Sequence, residues 1–130
     1  MNTVVAVPSE IPGGLKAPIG AHFGHCELYT LIRMENGEIS SVDVLPNVPH
    51  EQGGCMAPVS HLAKNRVRVL LAGGMGMRPL MGFQQMGIEV YHCGGAKTVE
   101  DAINAFRAGQ LPLFSREFTC HGENEGSHCR

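Results

Sequence analysis

The groups in this sequence best able to do chemistry are sulfur and imidazole. The chain of 130 residues carries five cysteines, seven histidines and seven methionines. Thiolate and thioether select soft metals such as Cu(I) and metal–sulfide clusters, and imidazole adds ligands of intermediate softness. Ala21-His-Phe-Gly-His-Cys26 sets His22, His25 and Cys26 side by side. Glu51-Gln-Gly-Gly-Cys55 presents a thiol after two glycines. Gly73-Gly-Met-Gly-Met-Arg78 mixes thioethers, glycines and a fixed positive charge, and His92-Cys93 leads into another glycine pair. Glycines let backbone N–H groups approach an anionic ligand closely. Each feature also has a plainer reading. H-x-x-H-C is not a closed zinc pattern, Met75 and Met77 can fill core gaps, and a cysteine ending a strand is often core. His50 reads as an exposed loop residue and His61 as an ordinary helical histidine.

The elements that must position these groups follow from pattern. Thr3–Val7 is a β-branched run closed by Pro8, read as a buried strand. A long Gly/Pro loop runs from Pro8 to His25. Glu27–Glu35 and Glu38–Leu45 flank Asn36-Gly37, the pair that a type I′ hairpin turn favours. After the loop 46–56, Pro58 suits the first turn of a helix reaching about Asn65. Val67–Ala72 is a core strand, a short helix follows from about Met77 to Met86 and stops at Gly87, and Ile88–His92 is the last strand. Thr98-Val-Glu-Asp101 matches a capping box, with Val99, Ala102, Ile103 and Phe106 on one helical face and Gly109 as the stop.

The order βββαβαβα predicts an α/β fold. It consists of a five-stranded mixed sheet of order 3-2-1-4-5, with strand 2 antiparallel and helices on both faces, in three layers, a ribonuclease-H-like motif. The expected domain spans 1–112, and 113–130 is expected to be a flexible polar tail. This topology gathers the loop 8–25, Cys26, the loop 46–57 and the turns 73–78 and 92–97 at one sheet edge, where open α/β sheets bind ligands. Helix N-termini near Pro58, Met77 and Thr98 are expected to favour an anion there, with Arg78 as a fixed charge.

The segments Ala21–Cys26, Glu51–Cys55, Gly73–Gly76 and Cys93-Gly-Gly-Ala-Lys-Thr-Val-Glu100 together resemble the nitrogenase iron–molybdenum-cofactor accessory and carrier family over roughly residues 1–112. That family includes small stand-alone proteins such as the orange protein of sulfate reducers, which holds a molybdenum–copper sulfide cluster. The resemblance implies a carrier, not an enzyme. Its cargo would be a molybdenum-containing metal–sulfur cluster of Mo-Cu-S or Fe-Mo-S type. The resemblance implies His22, Phe23, Gly24, His25 and Cys55 as site residues; the sheet-edge placement adds Cys26, Gly54, Gly74, Met75, Gly76, Arg78 and Cys93, and His22, Cys26 and Cys55 are the expected metal ligands. The implied partners are the cluster and a cofactor-assembly or acceptor protein, the chain itself being a monomer or weak homo-oligomer.

Rival classes fare worse. Gly74-x-Gly76 lacks the third glycine of a dinucleotide fingerprint, because Pro79 stands there. A two-metal nuclease needs clustered carboxylates, and neither TVVAV nor VRVLLA holds an acid. A thiolate–imidazolium enzyme using Cys26 or Cys93 is weakened because adjacent strand residues face opposite sides. A metal- or redox-sensing module remains the main alternative. The net charge of −2, scattered basic residues and absence of Trp do not support nucleic-acid binding. The N-terminus lacks a signal-peptide pattern, no run is long enough to span a bilayer, and an odd cysteine count argues against a disulfide framework. A cytoplasmic location with reduced thiols is the expectation.

Overall fold

A computed structural model describes residues 2–20, 27–46, 56–93 and 96–114. The elements run β1 (Asn2–Ser9), β2 (Leu28–Glu35), β3 (Glu38–Pro46), α1 (Met56–Lys64), β4 (Val69–Ala72), α2 (Met77–Gln85), β5 (Glu89–His92) and α3 (Val99–Arg107). The five strands form one sheet in the order β3-β2-β1-β4-β5. β2 is antiparallel to both β1 and β3, while β4 is parallel to β1 and β5 parallel to β4.

The β2–β3 hairpin forms as its turn residues require: Asn36 and Gly37 take φ of 57° and 84°, the paired positive values of a type I′ turn. β1 runs past Pro8 to Ser9 instead of stopping. A proline lacks only the N–H, and the β1–β4 ladder covers just Val5 and Ala6. Pro8 therefore lies beyond the ladder on that side, while its carbonyl accepts from Gly20 N at 2.8 Å.

Alternation along the strands separates two cores. On one face α1 and α2 bring Val59, Leu62, Leu80 and Phe83 onto Ala6, Leu70, Val90 and Phe114. On the other, α3 brings Val99, Ala102 and Ile103 onto Val5, Val7, Ile32 and Leu71. Both faces are thus covered by helices, as the parallel pairings of β1, β4 and β5 need. The packed unit extends beyond residue 112: His92 N donates to Pro112 O at 2.9 Å, Phe114 N to Val90 O at 2.7 Å, and Phe114 is buried. Residues 112–114 therefore run along the outer edge of β5. No helix among the described residues is long and apolar enough to cross a membrane.

Candidate functional site

Chain direction puts the ends of β1, β3, β4 and β5 and the start of β2 at one edge of the sheet. His22, Phe23, Gly24, His25, Cys26, Gly54 and Cys55 lie outside the described residues. Their described neighbours in the chain, Gly20, Glu27, Pro46 and Met56, adjoin strand or helix ends of this edge.

An excursion over residues 10–20 builds one wall. Ser9 and Thr30 are fully buried, and their hydroxyls share a hydrogen bond of 2.8 Å; Ser9 Oγ also donates to Val7 O at 2.7 Å. Thr30 Oγ1 accepts from Gly14 N at 3.1 Å, which draws the excursion onto β2. Burying these hydroxyls is tolerable because each is satisfied. Gly13 has a φ of +78°, and a Cβ there would meet Val44 Cγ2 at 2.8 Å and Leu28 Cδ1 at 3.0 Å. The excursion then crosses to α3, where Leu15 O and Ala17 O accept from Glu100 N and Val99 N, and Thr98 Oγ1 accepts from Asp101 N. The first-turn donors of α3 are therefore spent within the protein, and this helix start offers nothing to an anion. This corrects the sequence expectation for Thr98: its hydroxyl caps the helix, but the helix start faces a closed wall.

The start of α2 differs. Gly76 is its N-cap with no side-chain cap. Among the described residues Met77 N and Arg78 N have no acceptor, and Pro79 brings no N–H. Among the described residues a Cβ on Gly76 would meet only Pro79 Cδ, at 3.9 Å, so none of them crowds the turn. Open N–H donors, the positive end of the helix dipole and a glycine with room before it form an anion cradle. Gly74 is half-buried in the same turn. Arg78 is exposed, with no acidic partner among the described residues.

His92 adjoins this turn. It is half-buried, stands edge-on to Phe114 at 5.4 Å, and hydrogen-bonds with the backbone of Gly73. Desolvation lowers its pKa, against the smaller opposing effect of that hydrogen bond. A neutral imidazole is the metal-binding form. Met75 and Cys93, expected at the rim, are core residues, each 2% exposed. Met75 packs in the α1/α2 core and Cys93 in the α3 core, because the chain turns inward to seal the ends of β4 and β5. Burial pushes the Cys93 thiol up to about 11, so it is protonated at neutral pH. His92 and Cys93 thus serve opposite faces and form no catalytic pair. Among the described residues no three His, Cys, Asp or Glu side chains gather as a metal site. The wall built by Ser9, Gly13 and Thr30 was not foreseen; the Gly13-Gly14 pair was its one sequence signal.

Residues 1–109 match the family model described as dinitrogenase iron–molybdenum cofactor. An uncharacterized protein of Methanocaldococcus jannaschii is 28% identical over 98 residues, covering 74% of this chain and 82% of its own. The apo form of the orange protein from Desulfovibrio gigas superposes with a TM-score of 0.75 at 25% identity, over 87% of this chain and 93% of that one. A Thermotoga protein described as a candidate NifB protein gives 0.69 at 26% identity, over 88% and 98%.

Proposed function

This chain belongs to the dinitrogenase iron–molybdenum cofactor family, and on that premise we propose that it carries or protects a preformed, anionic, molybdenum-containing metal–sulfur cluster without transforming it. One observation carries this reading: among the described residues, the Gly73–Gly76 turn leaves the N–H groups of Met77 and Arg78 without an acceptor. Sulfide ligands of a cluster accept such donors, and the helix dipole favours their negative charge. Arg78, exposed in the same turn, adds a counter-charge, and His92, its pKa lowered by desolvation beside the turn, is a further candidate ligand. Gly74 and Gly76 give the cluster room to approach. His22, Cys26 and Cys55 are the proposed metal ligands, in two segments that also include Phe23, Gly24, His25 and Gly54. Met75 and Cys93 support the floor of the site from within the two cores.

The test is anoxic loading with tetrathiomolybdate and Cu(I), followed by gel filtration, elemental analysis and a visible spectrum. The parent should retain molybdenum, and His22→Ala, Cys26→Ser and Cys55→Ser should lose it while keeping the parent's circular dichroism. Equal retention by all three variants refutes the ligand assignment.

A further inference from the structure

The opposite edge of the sheet holds a second feature, independent of the cluster site. Arg33, Arg66 and Arg68 line a cleft of about 520 Å³ whose apolar wall is Val4, Met86 and Ile88. Its geometry follows from register. Val4 pairs with Arg33 across the β1–β2 ladder, and Arg68 N donates to Val4 O at 3.0 Å. Arg33, Val4 and Arg68 therefore form one row on the face that α1 and α2 cover elsewhere. Adjacent strands lie about 4.8 Å apart, so the two arginines flank Val4 one strand away on either side. α1 ends at Lys64 and α2 at Gln85, short of this row, and no described element covers it; Arg33 and Arg68 are exposed.

Arg66 points to use of the cleft. The three described helices end in the same motif, in which the last turn's carbonyls accept from the two residues beyond. Gly87 and Ile88 donate to Gln84 O and Phe83 O, Gly109 and Gln110 to Phe106 O and Ala105 O, and Arg66 and Val67 to Ala63 O and Leu62 O. The motif needs a positive φ at its first outer residue, which glycine supplies without strain. Gly87 and Gly109 meet that need, at 78° and 73°, whereas α1 places Arg66 there at 66°. A non-glycine residue in the left-handed region is strained, and here it adds a third guanidinium to the cleft.

No described lining residue is acidic. The nearest acids on the same strands have other partners: Glu89 accepts from Tyr91 and Glu35 from Ser40. The negative ends of α1 and α2 face this edge, but the carbonyls of their last turns are engaged in the motifs just described.

We propose that this cleft binds a small polyphosphate anion, either a nucleoside phosphate or an inorganic polyphosphate, held by Arg33, Arg66 and Arg68. Guanidinium groups fork onto phosphate oxygens in pairs, and Val4, Met86 and Ile88 offer a dry wall for a planar base.

The test titrates the full chain with ADP and with inorganic pyrophosphate, followed by amide ¹H–¹⁵N spectra and calorimetry at low and high salt. Saturable, salt-weakened binding is expected, with shifts at Val4, Arg33, residues 66–68 and residues 86–88. Arg68→Gln should weaken binding roughly tenfold, and so should Arg66→Gly, which relieves backbone strain and leaves the fold at least as stable. Tighter binding of ADP than of pyrophosphate supports the site with a nucleoside phosphate as ligand, and equal binding supports it with an inorganic one. Absence of saturable binding by either probe, shifts confined to the other edge, or parent-like affinity in both variants overturns the proposal.

Discussion

Replacing Gly13 by alanine probes the wall on which the cluster edge is built. The backbone there sits at φ +78°, which costs an L-residue about 1–2 kcal/mol. The new methyl would lie 2.8 Å from Val44 Cγ2 and 3.0 Å from Leu28 Cδ1. Val44 is 45% exposed and can turn away, whereas Leu28 is 8% exposed and cannot move freely. Crowding a packed site adds about 1 kcal/mol or more, and the reduced entropy of the unfolded alanine chain returns about 0.4–1 kcal/mol. The net loss should be about 2 kcal/mol. Gly76→Ala is the internal control: its φ is −79° and its nearest new contact is 3.9 Å, so its stability should stay within about 0.5 kcal/mol of the parent. Urea unfolding of the three proteins, compared at equal slope, measures both values. A Gly13→Ala protein as stable as Gly76→Ala would show that the excursion is not seated as described.

Two further outcomes follow from the same contacts. Thr98→Ala removes the cap that accepts from Asp101 N at 3.2 Å and should cost about 0.5–1 kcal/mol, the low end because Leu15 and Ala17 carbonyls still hold neighbouring donors; thermal unfolding reads this. Cys93 gives a pH dependence whose sign is fixed. Its folded thiol keeps its proton to about pH 11, against an ordinary value of 9.0, so between those values the unfolded chain binds fewer protons. Stability should be flat in this respect below pH 9 and fall by about 2–3 kcal/mol from pH 9 to 11, a slope absent from Cys93→Ala. Equal slopes in the two proteins would contradict burial of the thiol.

The sequence patterns that foretold the fold are those with local causes. Asn36-Gly37 permits only a few turns, Thr98 and Asp101 specify a helix start, and Gly87 and Gly109 mark helix stops. With the boundaries placed, strand order followed from connection rules. The features not legible depend on distant partners. Ser9 extends β1 because Thr30, from another strand, satisfies its hydroxyl. The donors of α3 are consumed by carbonyls of residues 15 and 17, which no reading of Thr98–Asp101 alone reveals. Met75 and Cys93 lie where chain direction predicts, yet a thioether or thiol at a strand end has the same sequence appearance whether it faces a ligand or the interior. Leu113 and Phe114 carry no period because a short edge pairing, not amphipathicity, holds them.

The most direct test of the account is cluster retention by Gly76→Leu under the loading protocol above, with Gly76→Ala alongside. A Cβ at Gly76 meets no described atom closer than 3.9 Å, and circular dichroism of both variants checks that they fold like the parent. The account predicts that the leucine fills the cradle, blocks Met77 N and Arg78 N, and lowers retention by roughly tenfold or more, while alanine has a much smaller effect. A well-folded Gly76→Leu protein that keeps its molybdenum as firmly as the parent would contradict the claim that the cluster sits on the start of this helix.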